Sequence, residues 1–224
     1  IRKLQVVAKA YADRETIGNG SPTDIYVGGA VGTVGTEGSS NAFLDDIHVF
    51  DTIVRSVGEE KMSTYAGGVV GGIWWKGTSF LQNSSFVSGT VYASSITQKA
   101  SAGGILGFSQ RGRLYNNVIL NSYVNAESNN STTRAAGIIG ETNTNPSYVY
   151  NNYSQSYISS NGKTSISAGI LCSGGNIKSQ NNIFDLASYG TNYLNDTRNA
   201  YAINNTSNAD GNGYVVLYEN NNVG

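Results

Sequence analysis

The sequence predicts an all-β protein, folded as a right-handed parallel β-helix of about five or six coils. Three observations support this fold class: short clusters of β-branched and aromatic residues, a five-residue block that recurs along the 224-residue chain, and turns rich in Gly, Asn and Ser between the clusters. Short strand-like runs bounded by such turns are typical of β-structure. No segment shows an apolar stripe at helical spacing over several turns, so no helix is expected.

The recurring block consists of two small residues, two aliphatic residues and usually a third Gly. Its copies are residues 28–32, 67–71, 103–107, 136–140 and 168–172, with a degenerate sixth copy at 200–204. The last residues of the first five copies are 39, 36, 33 and 32 positions apart. This period predicts a solenoid, because one repeat cannot bury its apolar face alone whereas stacked copies can.

A solenoid places equivalent residues of successive repeats directly above one another. The chain is therefore predicted to be a single domain, residues 1–224, in which residues 1–26 form an N-terminal strand and loop. The repeats begin near Gly28, Gly67, Gly103, Ala136, Ala168 and Ala200. The predicted interior column is Val31, Val70, Leu106, Ile139 and Leu171. Parallel crossovers in one sheet are expected to be right-handed. A sandwich or propeller would not explain the near-constant interval.

A polar pair follows each block and precedes a strand-like run. The pairs are Asp45 with Asp46, Gln82 with Asn83, Asn116 with Asn117, Asn151 with Asn152, and Asn181 with Asn182. Asn side chains stacked in successive coils can exchange amide hydrogen bonds. One Asn of each pair is therefore predicted to point inward and form a ladder, namely Asn83, Asn117, Asn152 and Asn182.

Composition excludes several classes of function. The net charge of −1 and the 13 % share of charged residues provide no basic surface for nucleic-acid binding. No apolar run is long enough for membrane insertion. The single cysteine, Cys172, allows no internal disulfide, and its aliphatic neighbours predict a buried, inert thiol. Neither a cofactor nor a metal site is expected. Without a starting Met or leader, the chain is expected to be a mature or excised piece.

The blocks of two Gly, two aliphatics and Gly, each followed by a polar pair and a strand, resemble the GLUG-motif repeat. The resemblance covers roughly residues 25–189, with Cys172 in place of the third Gly and both glycines absent from the sixth copy. GLUG repeats occur in large secreted or surface-attached proteins, including adhesins and the non-catalytic region of immunoglobulin A1-specific metallopeptidases. The resemblance implies an extracellular β-helical stalk or binding surface, and no activity for the repeats themselves.

Few residues are candidates for binding or modification. Trp74 and Trp75 are adjacent, so one of them is expected to face outward, where it could contact a sugar or a partner protein. A group of tyrosines is predicted to form an outward aromatic ladder: Tyr92, Tyr115, Tyr123, Tyr148, Tyr150, Tyr153 and Tyr157. Candidate N-glycosylation sites in Asn-x-Ser/Thr sequences are Asn83, Asn130, Asn152, Asn195 and Asn205.

Residues for catalysis are sparse. His48 is the only histidine, so a zinc peptidase centre with two His is absent from this chain, and His48 is expected to be a solvent-facing strand residue. A β-helix that cleaves polysaccharides would need two or three carboxylates in one groove. The densest acidic cluster is Asp45, Asp46 and Asp51, but the first two occupy the slot of amide pairs in other coils, which favours a role in the turn.

The favoured function is therefore non-enzymatic: an extracellular or cell-surface segment, a rigid stalk that presents loops for adhesion or assembly. Its partners would be a cell-surface protein or glycan, or copies of itself end to end. Two alternatives stay open. One is a subunit of a self-assembling extracellular filament or sheath, and the other is a carbohydrate-active β-helix enzyme that uses Asp45 and Asp46.

Overall fold

The computed structural model is all-β and describes residues 1–14, 24–35, 41–59, 61–74, 78–143, 147–173, 177–185, 203–204 and 216–218. These residues form strands and turns and no helix. In chain order the strands are β1 (Arg2–Val6), β2 (Lys9–Arg14), β3 (Ile25–Gly28), β4 (Val31–Val34), β5 (Phe43–Phe50), β6 (Ile53–Gly58), β7 (Thr64–Gly67), β8 (Val70–Ile73), β9 (Ser79–Gln82), β10 (Ser85–Val87), β11 (Thr90–Ser95), β12 (Ala100–Gly103), β13 (Leu106–Ser109), β14 (Gly112–Tyr115), β15 (Val118–Ser128), β16 (Thr132–Ala136), β17 (Ile139–Thr142), β18 (Ser147–Tyr150), β19 (Tyr153–Asn161), β20 (Thr164–Ala168), β21 (Leu171–Ser173), β22 (Ile177–Gln180), β23 (Ile183–Asp185), β24 (Ile203–Asn204) and β25 (Val216–Tyr218).

The strands form three parallel sheets. Sheet B stacks β3, β7, β12, β16 and β20, and sheet C stacks β4, β8, β13, β17, β21 and β24. Sheet A contains the other 14 strands. Each complete coil crosses sheet B, turns into sheet C, and then runs through sheet A in two or three short strands. This is the predicted β-solenoid.

The register of sheet B reproduces the period of the sequence block. Ile25 pairs with Thr64, Thr64 with Ala100, Ala100 with Thr133, and Thr133 with Ser165, so successive coils contain 39, 36, 33 and 32 residues. The described residues complete about four turns, with partial turns at both ends, so the predicted five or six coils is slightly high. The right-handed sense of the coil stays a prediction.

The N-terminal segment contains two strands, where the sequence predicted one strand and a loop. Strand β1 pairs with β5 and strand β2 pairs with β6, which adds a partial coil below the first repeat. At the other end, Ile203 pairs with Leu171 and Asn204 with Cys172, so the degenerate sixth block continues the stack in the expected register. Ala200 lies outside the described residues.

The aliphatic positions of the block stack in one column inside the coil. Val31 pairs with Val70, Val70 with Leu106, Leu106 with Ile139, and Ile139 with Leu171. The last four side chains are fully buried, whereas Val31, in the first coil, is partly exposed. They belong to one apolar core that extends along the solenoid and drives the stacking of the coils.

The small residues of the block allow sheet B to turn closely into sheet C. A Cβ placed on Gly67, the last residue of β7, would overlap the carbonyl oxygen of Val70 and approach the backbone nitrogen of Gly107 to 2.6 Å. Both obstacles are backbone atoms, so neither can move without distorting the coil. In this coil Gly67 therefore permits both the tight turn into sheet C and the close approach of the next coil.

Candidate functional site

Three asparagines form a hydrogen-bonded ladder inside the solenoid. Asn117 Nδ2 donates to Asn152 Oδ1 over 3.0 Å, and Asn152 Nδ2 donates to Asn182 Oδ1 over 2.9 Å. All three side chains are buried. The predicted interior ladder therefore contains Asn117, Asn152 and Asn182. Asn152 is only 1 % exposed, so its assignment as an N-glycosylation site is wrong for the folded chain.

The predicted inward position of Asn83 is wrong. Asn83 is exposed, and its backbone φ angle is +52°. The equivalent residues Asn116 and Asn151 are also exposed, with φ angles of +55° and +58°. These residues form a corner at which the side chains point outward, and the next residue points inward. In the second coil that inward residue is Ser84, whose backbone N–H donates to Asn117 Oδ1 over 3.1 Å. The sequence pattern indicated Gln82 and Asn83 as the polar pair of this coil. The pair equivalent to Asn116 and Asn117 is instead Asn83 and Ser84, one residue later.

The corner also explains the acidic cluster. Asp46 occupies it in the first coil with φ +58°, so Asp45 and Asp46 both lie on the outer side, above the buried Ile47. The Oδ1 atom of Asp45 accepts hydrogen bonds from Asn83 Nδ2 at 2.8 Å and Gln82 Nε2 at 3.2 Å. These two hydrogen bonds lower the pKa of Asp45, and the bond from Asn83 has the larger effect. The lowered pKa favours an ionised carboxylate that accepts hydrogen bonds over a general acid.

His48 lies in a chain of side-chain hydrogen bonds on the outer face of sheet A. Its Nε2 atom is 2.9 Å from Asp46 Oδ1, and its Nδ1 atom is 2.8 Å from Ser85 Oγ. The half-exposed histidine thus links two coils from the solvent side of its strand. Ser85 lies in a strand that pairs on both sides, with β5 and β15, so the backbone N–H groups of β10 serve the ladder and do not form an oxyanion hole.

Trp74 packs in an aromatic cluster on sheets B and C. Its ring centroid is 5.6 Å from that of Phe108 and 5.7 Å from that of Tyr26. Tyr26 stacks on Tyr65 at 4.8 Å with an interplanar angle of 7°. Because two rings pack against Trp74, its outward surface is smaller than an exposed sugar-binding residue would offer. Trp75 lies outside the described residues.

A buried ionic network adjoins this cluster. Glu141 Oε1 is 3.1 Å from Lys99 Nζ, and Glu141 Oε2 is 3.2 Å from Arg134 Nη1. Ser101 Oγ donates to the same Oε2 atom at 2.8 Å. Burial and then the negative charge of Glu141 raise the pKa of Tyr65 above its ordinary range. The network holds adjacent coils together behind the aromatic rings.

The outer side of sheet A carries a different surface, which we call the aromatic face. Its central column contains one residue from each of five successive coils: Phe43, Phe80, Arg113, Tyr148 and Lys178. Beside them, the rings of Tyr115 and Tyr150 pack at an angle of 43°, with centroids 5.6 Å apart. Phe43 is 38 % exposed and Lys178 is exposed. The aromatic face is therefore a strip of rings and cations at the solvent boundary.

Cations and rings alternate along this strip. The Cζ atom of Arg113 is 5.3 Å from the ring centroid of Phe80 and 4.9 Å from that of Tyr148, and Lys178 Nζ is 5.8 Å from Tyr148. At the opposite end, the Cζ atom of Arg2 is 5.0 Å from the Phe43 centroid. These distances fit cation–π contacts. Such contacts fix the rings and the guanidinium groups as one rigid surface.

Comparisons with protein-family models, curated proteins and solved structures find no match to this chain. The resemblance to GLUG-motif repeats therefore depends on the sequence blocks alone. The aromatic face is the strongest candidate site, and it depends on the geometry described above.

The sequence prediction found part of the aromatic face. The predicted tyrosine ladder divides into separate columns: Tyr115 with Tyr150, and Tyr123 with Tyr157 at 5.7 Å. Tyr92 instead donates its hydroxyl proton to Glu127 Oε2 at 2.8 Å. The members that were missed are Phe43, Phe80, Arg113 and Lys178. Each lies three residues before a polar corner, so counting back from the corners would have aligned them with Tyr148.

The other predicted site residues lie apart from the aromatic face. Asn130 is exposed in the turn after β15, and glycosylation there and at Asn83 stays a prediction. Asn195 and Asn205 lie outside the described residues. Cys172 is buried, and burial raises the pKa of its thiol to about 12. The described part of the chain contains no group of three or more His, Cys, Asp or Glu suited to a metal ion, and no helix that could span a membrane.

Proposed function

We propose that this chain is a rigid, non-enzymatic segment of an extracellular or cell-surface protein, and that it attaches to glycans or proteins on another surface through its aromatic face. The observation that carries the proposal is the column of rings and cations along five coils, in which the two types alternate from Phe80 to Lys178. Exposed aromatic rings and Arg are the residue types enriched where proteins bind partners.

The interior supports a structural role. Asn152 and Asn182 each use the side-chain oxygen to accept two hydrogen bonds from the coil before, one from a backbone N–H and one from a side-chain amide. Apolar residues fill the remaining interior. A solenoid stabilised between all neighbouring coils is an extended and stiff support, and it holds outward side chains at fixed spacing.

The hydrogen bonds of Asp45 and Asp46 favour a non-enzymatic role over that of a carbohydrate-active enzyme. Asp45 accepts hydrogen bonds from Gln82 and Asn83, while Asp46 is paired with His48. Both carboxylates thus have structural partners in the corners. A glycosidase would instead need one of them with a raised pKa, facing a second carboxylate across a substrate.

Binding of the purified chain to immobilised glycans and to cultured cells tests the proposal. We expect binding of the wild type, a loss of at least tenfold in affinity for Tyr148→Ala, and unchanged affinity for Tyr123→Ala. Tyr123 is the matched control, because it is 59 % exposed on the same sheet but belongs to another column. Absence of binding across the panel, or release of reducing ends from a polysaccharide, would overturn the proposal.

A further inference from the structure

We infer that the part of the aromatic face formed by β14, β18 and β22 binds a carboxylated polysaccharide, a polymer that contains uronic acid residues, with Arg113 as its anchor. This inference rests on the proposed function and names the ligand class of that same site. The outward residues of these strands are Arg113, Tyr115, Tyr148, Tyr150, Lys178 and Gln180. We call this set the acid-free patch.

The charge of the acid-free patch is complementary to an anion. Strands β14, β18 and β22 contain two cations and no carboxylate. Neither Arg113 nor Lys178 has a carboxylate partner among the described residues. Asp45 lies at the far end of the face and accepts from Asn83 and Gln82. Among the described residues, no carboxylate therefore competes with a dissolved anion for these two cations.

The geometry of Arg113 suits a planar carboxylate. Its guanidinium lies between the rings of Phe80 and Tyr148, and its Nε atom is buried without a hydrogen-bond partner. A guanidinium sandwiched by rings can add a partner only at its in-plane edge. Because Nε is buried, the edge left for a ligand is that of the two Nη atoms, whose parallel N–H donors match the two oxygens of a carboxylate. Lys178, two coils further along, is an exposed point charge beside Tyr148 that suits a second anionic group.

The spacing favours a polysaccharide over other anions. Adjacent strands of a parallel sheet are about 4.8 Å apart. The backbones of Arg113 and Lys178 therefore lie about 10 Å apart along the axis, with Tyr148 between them. One strand spacing is similar to the length of one pyranose residue in an extended chain. A uronate-containing chain laid along the axis would therefore place a carboxylate at each cation and a sugar ring against the outward edge of the intervening tyrosine. The chain's net charge of −1 gives no general attraction for nucleic acid.

The test measures binding to polygalacturonate, to neutral dextran and to dextran sulfate by biolayer interferometry. We expect the wild type to bind polygalacturonate, to bind dextran at least tenfold more weakly, and to lose affinity as salt increases. Arg113→Gln should weaken polygalacturonate binding at least tenfold, and Arg113→Lys should restore only part of it, because an ammonium lacks the paired donors. Lys178→Gln should weaken it severalfold, and this exposed residue keeps the test valid if Arg113→Gln fails to fold.

The matched control is Arg111→Gln, which removes the same charge from an exposed residue in the turn before β14. Equal losses for Arg111→Gln and Arg113→Gln, or tighter binding of dextran sulfate than of polygalacturonate, would overturn the inference in favour of unspecific charge attraction. Binding of neutral glycans or cells through Tyr148 without polygalacturonate binding would overturn the inference and leave the proposed function standing. Absence of all binding would remove both.

Discussion

The side-chain oxygen of Asn152 accepts two hydrogen bonds from Asn117, one from the side-chain Nδ2 and one from the backbone N–H, each 3.0 Å long. Asn182 repeats this arrangement toward Asn152, with two bonds of 2.9 Å. Each amide also donates to a backbone carbonyl, as Asn182 Nδ2 does to Val149 O at 2.7 Å. The buried corner therefore has its polar groups satisfied only when successive coils are in register.

Asn152→Ala is expected to destabilise the protein by about 2–4 kcal/mol, because it leaves the buried backbone N–H of Asn117 and one N–H of its side-chain amide without an acceptor. Urea unfolding followed by circular dichroism measures the change. Asn151→Gly is the control at the neighbouring exposed position, where φ is +58° and glycine is tolerated. A loss for Asn151→Gly as large as that for Asn152→Ala would contradict the role of the ladder.

Gly71→Ala is expected to prevent stable folding. A Cβ at Gly71 would overlap the carbonyl oxygen of Gly32 and approach the backbone carbon of Val27 to 2.8 Å. Gly32 occupies the same block position in the previous coil, yet its nearest neighbour would be Tyr26 O at 3.7 Å, an ordinary contact. Soluble expression and the urea midpoint should thus fall for Gly71→Ala and stay near wild type for Gly32→Ala. Equal tolerance of both substitutions would show that close backbone approach does not explain the glycine at position 71.

The period of the block was sufficient to predict the fold. Because loop lengths vary while the block keeps its form, the intervals of 39, 36, 33 and 32 residues predicted the register of sheet B and the column from Val31 to Leu171. The corners were harder to align. In the first two coils the inward positions are Ile47 and Ser84 instead of Asn, so the amide pairs of later coils suggested a register one residue too early.

The aromatic face was only partly predictable for a related reason. A column of a solenoid is defined by position in the coil, not by residue type, and this one mixes Phe, Arg, Tyr and Lys. A search for similar residues finds Tyr148 and misses Arg113. Trp74 shows the reverse case: residue type predicted a binding residue, and the fold packs its ring against Phe108, a contact that the sequence did not indicate.

Glu141→Gln is expected to lower the free energy of unfolding by about 3 kcal/mol, since it leaves the partly buried Arg134 without its carboxylate. The Nε and Nη1 atoms of Arg134 already lack hydrogen-bond partners, so no other described group compensates the charge. Replacing both residues, as Arg134→Leu with Glu141→Leu, should cost less than Glu141→Gln alone. Urea denaturation of the three proteins measures these differences, and a larger loss for the double variant would contradict the argument.

Stability is expected to fall at alkaline pH, and Tyr65 and Cys172 are expected to contribute to the fall. Burial, followed by the charge of Glu141, raises the pKa of Tyr65, and burial raises the pKa of Cys172 to about 12. The folded chain therefore keeps protons that the unfolded chain releases near pH 10 for the phenol and about pH 8.5 for the thiol. Their contribution is complete below those values and decreases as the pH rises toward the folded pKa.

The urea midpoint should consequently be lower at pH 11 than at pH 8, and the decrease should be smaller in Tyr65→Phe, which has no phenol to ionise. Tyr123→Phe serves as the control, because this exposed side chain changes its surroundings little on folding. At pH 8, Cys172 of the folded protein should resist iodoacetamide and react once urea unfolds the chain, which mass spectrometry detects. Rapid native alkylation, or the same pH dependence in wild type and Tyr65→Phe, would show that these groups are more accessible than their burial between coils implies.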